Sequence, residues 1–140
     1  MEYSMIKYIN NSILGSSRDL KYTVRDVAPS TFQDLRNESS LVVWSGASDS
    51  TIFQDKVVNW AFRAFHDTLH LKSGLLFTVD HEIELAKIQA SQFGTNDLMQ
   101  ALMYTEIAGQ AEYFRLNGTF PENQLEFSAT MLSTLLKGRV

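Results

Sequence analysis

Residues 59–70 read NWAFRAFHDTLH, which sets His66 and His70 four residues apart in a run otherwise apolar enough to be buried. On an α-helix that spacing stacks both imidazoles on one face, about 5.4 Å apart along the axis. A buried imidazole pair costs free energy unless its nitrogens find partners. Carboxylates able to serve recur at Asp67, Asp80, Glu82, Glu84, Glu106 and Glu112. Imidazoles joined by carboxylates from neighbouring helices form the donor set of a divalent-metal site, and Zn, Mn or Fe suit such donors. Glu82 shares a helix face with Ala86 and Gln89, and Glu106 with Gln110, so three helices can each offer a polar stripe. His66, His70, Glu82 and Glu106 are therefore the candidate ligands. Asp67 is the candidate proton acceptor, Arg63 the candidate clamp for an anionic group, and Gln110 a polar neighbour of Glu106 with a candidate catalytic role. That set points to a metal-dependent hydrolase acting on a small-molecule phosphoester more readily than on a peptide.

The same residues admit a second reading, a non-enzymatic accessory or structural protein that binds a host or virion protein. Arg63 would then pair with Glu82 or Glu106, a carboxylate would fix His66, and the cluster would align three helices as a buried network. Tyr3, Tyr8 and Trp44 would be interface aromatics. Glu84, Glu112 and His81 read as surface residues, as do Asp49 and Asp55, while Phe62, Phe65, Leu69 and Leu71 read as core.

The elements that must position these side chains are helices. A first is expected over residues 50–71, capped by Asp49 or Ser50 and stopping before Ser73-Gly74. A second runs from Thr78 to about Phe93, with Asp80 and Glu82 at the positive end of its dipole. A third runs over 95–117, and a fourth starts with Pro121 in its first turn and ends at Lys137 before Gly138. Residues 1–48 are broken by Asn10-Asn11, Gly15-Ser16-Ser17, Ala28-Pro29-Ser30 and Asn37-Glu38-Ser39-Ser40. There the pattern supports a helix over 1–14 and strands over 21–24 and 41–44. The fold class is mainly α: a single domain whose 49–140 part is a bundle of about four helices, preceded by an irregular N-terminal segment carrying short strands.

Composition narrows the function classes. At 140 residues and 44% hydrophobic content the chain fits one domain with a real core and no membrane-length apolar run. Without cysteine there is no disulfide, thiolate nucleophile or iron–sulfur cluster, which leaves His, Asp and Glu as ligands. A net charge of −4 with scattered Lys and Arg argues against nucleic acid held by charge alone. The first residues lack a basic start and long apolar core, so a cytoplasmic location is the default expectation.

Two familiar motifs come close and fail. His66-Asp67 matches the doublet of HD phosphohydrolases, but those need an earlier metal-binding His, and His66 is the first in this chain. His-Asp-x-x-His approaches the zinc metallopeptidase motif, with the shorter Asp67 where the activating Glu belongs. The chain does resemble a domain encoded by phages and mobile elements, found in large polyvalent phage proteins and as small stand-alone proteins. That domain carries Phe-Arg-Ala-Val-His-Asp with a second His soon after, then Gly-Glu opening the next helix, then Thr-Glu-Thr-x-Gly-Gln. Here the blocks are Phe62-Arg63-Ala64-Phe65-His66-Asp67 with His70, His81-Glu82, and Thr105-Glu106-Ile107-Ala108-Gly109-Gln110, in the same order and spacing over residues 41–127. His70 falls four residues after His66 where the common form has five, and His81 replaces the Gly. One residue of shift turns an imidazole by about 100° around a helix. The resemblance implies a phage or prophage origin, with the protein acting in the host cytoplasm or the virion. It marks Arg63, His66, Asp67, Glu82, Glu106 and Gln110 as the site, and supplies no reaction.

Overall fold

The N-terminal helix α1 (Tyr3–Ser16) forms because Ile9 and Ile13, one turn apart, both reach full burial on a single face. The computed structural model describes residues 3–137, so the first two residues of the expected 1–14 helix lie outside the described residues, as does Gly138. The chain gathers into two compact units, the first ending at Leu76 and the second beginning at Phe77. The mainly α character and the short N-terminal strands agree with expectation.

In the first unit, β1 (Thr23–Arg25) pairs in parallel with β2 (Val42–Trp44), in the register Thr23↔Val42, Val24↔Val43, Arg25↔Trp44. A parallel pair needs a crossover of about a dozen residues or more. It contains α2 (Phe32–Asn37), which the sequence reading missed because a six-residue helix shows less than two turns of periodicity. The Thr31 hydroxyl starts it by accepting from the Asp34 amide at 3.1 Å.

The next helix, α3 (Lys56–Ser73), begins six residues later than the expected Ser50. Gln54 adopts a left-handed φ of 53°, which no helix can carry through, and the Asp55 carboxylate accepts from Val57 N at 2.8 Å and Val58 N at 3.3 Å. Asp55, exposed as expected, is therefore also the helix cap. Thr51, Ile52 and Phe53, expected as the first helical turn, are instead a buried segment. Helix α3 packs against α1, α2 and β2, so it belongs with the N-terminal segment rather than opening the expected 49–140 bundle. Of the residues read as core on α3, Phe62 is buried, Phe65 and Leu69 are half-buried, and Leu71 is exposed.

The second unit comprises α4 (Val79–Ser91), α5 (Asp97–Tyr104), a π-helical turn (Thr105–Gly109), α6 (Gln110–Asn117) and α7 (Gln124–Lys137). Thr78 caps α4 as expected, its hydroxyl accepting from His81 N at 3.3 Å. Asn96 caps α5 through Met99 N at 3.0 Å. The expected 95–117 helix is continuous from Asp97 to Asn117 but holds the π turn at its middle. Pro121 precedes α7 instead of opening it, because Asn123 accepts from the Glu126 amide at 3.0 Å and fixes the start there. The core is built from Leu85, Ala86, Met99, Leu102, Met103, Ala108 and Leu132. Gly109 lies where a Cβ would fall 2.5 Å from Met131 Sδ, so glycine lets α7 close onto the π turn. Among the described residues no helix is long and apolar enough to cross a membrane.

Candidate metal centre

Helix α3 presents Asn59, Arg63, His66, Asp67 and His70 on successive turns, and the structure separates them into two groups with different partners. Asn59 and Arg63 serve the loop after β2. Asn59 Nδ2 donates to Ser48 Oγ at 3.1 Å, and Ser48 Oγ donates to Gly46 O at 3.0 Å. Arg63 Nη1 donates to the carbonyls of Trp44 and Gly46, each at 2.6 Å, and Nη2 to Ala47 O at 3.3 Å. Its guanidinium also lies 5.3 Å from the Trp44 ring centroid. A Cβ on Gly46 would run into that ring, which is why glycine stands there. Burial lowers the Arg63 pKa from its ordinary value, and the Asp67 carboxylate opposes the shift. Arg63 thus ties a loop and stands beside Asp67. Arg63→Ala is expected to lower stability by about 2 kcal/mol in urea unfolding, with Arg63→Lys recovering less than half, because one ammonium cannot span the three carbonyls. Wild-type stability in Arg63→Ala would contradict this role.

The imidazoles form the second group. His70 is fully buried and His66 half-buried, and their Nε2 atoms lie 3.1 Å apart with the rings at 86°. His66 also lies nearly parallel to the Phe62 ring, 6.2 Å between centroids, and Phe62 packs on Phe53 at 5.3 Å. The four-residue spacing therefore brings both imidazoles to one point. His66 and His70 thus offer two imidazole nitrogens within the first unit, close enough together to share a metal ion. The two carboxylates expected as ligands, Glu82 on α4 and Glu106 in the π turn, belong to the second unit.

Glu106 occupies the π turn of the second unit, where its Oε1 is buried without a hydrogen-bond partner. Burial raises its pKa to about 7, partly offset by a hydrogen bond from Ser128. Gln110 Nε2 donates to the same Ser128 Oγ at 3.4 Å, and Ser128 on α7 is itself fully buried. Gln110, Ser128 and Glu106 form a short chain of donors and acceptors inside that unit. Sequence reasoning missed Ser128, although its place in the stripe Leu125, Ser128, Leu132 marks it as an inward polar residue. Glu84 is exposed, Glu112 pairs with Arg115 at 2.7 Å, and His81 is half-buried in the first turn of α4 rather than at the surface.

No protein family, curated protein or solved structure matches this chain.

Proposed function

We propose that this chain binds one divalent metal ion through the imidazoles of His66 and His70 and hydrolyses a phosphoester. The observation that carries the reading is the 3.1 Å approach of His66 Nε2 and His70 Nε2. Two nitrogens on one tetrahedral ion at about 2.0–2.1 Å are separated by about 3.3 Å, so the pair needs little movement to share an ion. Two imidazoles leave positions on a tetrahedral ion for a carboxylate and for water or substrate, as a catalytic zinc site requires. An ion there would polarise a phosphoryl oxygen and acidify water towards neutral pH. Asp67, on the same helix and held beside Arg63, is the proton acceptor in this proposal. Arg63 stands beside Asp67 and ties the loop after β2. A phosphoester is favoured over a peptide because Asp67 stands where zinc peptidases carry the longer Glu. Likeness of the three sequence blocks to a phage-encoded domain suits a phage-type protein.

A second reading, a non-enzymatic accessory protein with a protein partner, draws support from Arg63 and Gln110, whose polar atoms end on structural partners. One experiment separates the two. Elemental analysis of tag-free protein is expected to give about one transition-metal ion per chain, and melts with added Zn, Mn, Fe or Mg to show stabilisation of about 2.7 kcal/mol at a hundredfold excess over Kd. Chelator should reverse the shift. Absence of both metal and shift would hand the site to the accessory reading.

A further inference from the structure

We infer that the turn at residues 73–75 is a positioning device for this site: the Leu75 carbonyl, brought back by Gly74, holds His70 as the Nδ1–H tautomer and so turns its Nε2 lone pair towards the ion. The inference rests on the metal reading above.

Helix α3 ends on Gly74, whose φ of +75° reverses the chain, while its amide donates to His70 O at 2.9 Å. Ser73 Oγ donates to the same carbonyl at 3.4 Å and accepts from Leu75 N at 3.2 Å. The reversal lays Leu75 O against His70 Nδ1 at 2.7 Å. Had the helix continued, residue 75 would lie about 7.5 Å further along the axis than residue 70, with its carbonyl pointing away from the ring. A carbonyl only accepts, so the proton is on Nδ1, and a neutral imidazole then has its lone pair on Nε2. That Nε2 is the atom 3.1 Å from His66 Nε2. Because His70 is fully buried, solvent offers Nδ1 no alternative acceptor. Carbonyl partners of this kind orient metal-binding histidines and raise their basicity.

A Cβ added to Gly74 meets nothing within 4 Å, so a substitution there acts through backbone conformation and not through a clash. Gly74→Val disfavours the left-handed turn strongly, whereas Gly74→Asn tolerates it. Titration of the full chain with Co(II), followed by its visible absorption, is expected to show Gly74→Val binding about 10–100-fold more weakly and Gly74→Asn within about threefold of wild type. Long-range 1H–15N spectra of the metal-free proteins should show His70 as Nδ1–H in wild type and Gly74→Asn, and as a tautomer mixture in Gly74→Val. If Gly74→Val does not fold, Ser73→Ala, which loses both Oγ bonds and keeps the glycine, should weaken binding by roughly threefold. Unchanged cobalt affinity in a folded Gly74→Val, or an Nε2–H His70 in wild type, overturns the inference. A wild type that binds no cobalt but shows the Nδ1–H signature, lost in Gly74→Val, overturns the metal reading and upholds the turn as what sets His70.

Discussion

His70→Ala is expected to abolish metal binding and to destabilise the protein strongly, while His66→Ala abolishes binding at a much smaller cost in stability. Each imidazole is one of the two proposed histidine ligands, and loss of a ligand should weaken zinc or cobalt binding by more than about a hundredfold, beyond the loss from removing a group that merely orients a ligand. Stability separates the two variants. His70 is fully buried, and its Nδ1 satisfies Leu75 O at 2.7 Å. Truncation leaves a cavity and an unpaired carbonyl, together about 2–4 kcal/mol. His66 is half-buried and its loss leaves the His70–Leu75 bond in place, so about 1 kcal/mol is expected. Zinc stoichiometry and urea unfolding in chelator provide the two readouts. Stoichiometric zinc retained by His70→Ala would remove the imidazole pair from the proposed centre.

The second large effect is on the pH dependence of stability, and it comes from Glu106. Its pKa in the folded protein is raised to about 7 by burial, from an ordinary value of 4.5. Below the unfolded value the carboxyl is protonated in both states, and its contribution is fully present. As pH rises the unfolded chain ionises first, so stability falls from about pH 4.5 and the loss is complete once pH has passed about 7. The difference between the two values corresponds to roughly 3 kcal/mol. Glu106→Gln keeps the shape and cannot ionise. In urea unfolding at pH 5, 6, 7 and 8 with chelator present, wild type should lose stability relative to the variant across this series, leaving Glu106→Gln the more stable protein at pH 8. Comparing the two proteins cancels the groups they share. Parallel curves would mean that Glu106 is not held protonated in the fold. A variant less stable than wild type at pH 8 would mean that Glu106 is an ionised, paired member of a buried network, as the accessory-protein reading first had it.

Helix starts and stops were legible wherever the signal was local. Thr78 caps α4, Gly74 and Gly118 end their helices in the left-handed conformation, and the spacing of His66 and His70 places both on one face. Each signal lies within about one helical turn, where hydrogen bonds and side-chain neighbours are dictated by spacing. Against the resemblance, whose second His falls one residue later, the four-residue spacing is what lets the two Nε2 atoms meet here.

The start of α3 at Lys56, the π turn under Gly109 and the place of Pro121 before α7 were not legible. Residues 50–55 hold enough polar and apolar alternation to continue a helix. They leave it because Ile52 and Phe53 are drawn into the core and Asp55 then caps the remainder. Partner choice was the other blind spot. Arg63 was expected on an anion or a carboxylate and went mainly to three loop carbonyls, and the acceptor for His70 is a main-chain atom that no side-chain pattern records. The sequence by itself determined which residues could do chemistry and on which helix faces they stand, because those follow from periodicity and caps. Tertiary structure alone decided which of them are buried, which carbonyls Arg63 meets and which carboxyl is held protonated, because these depend on packing between segments far apart in the chain.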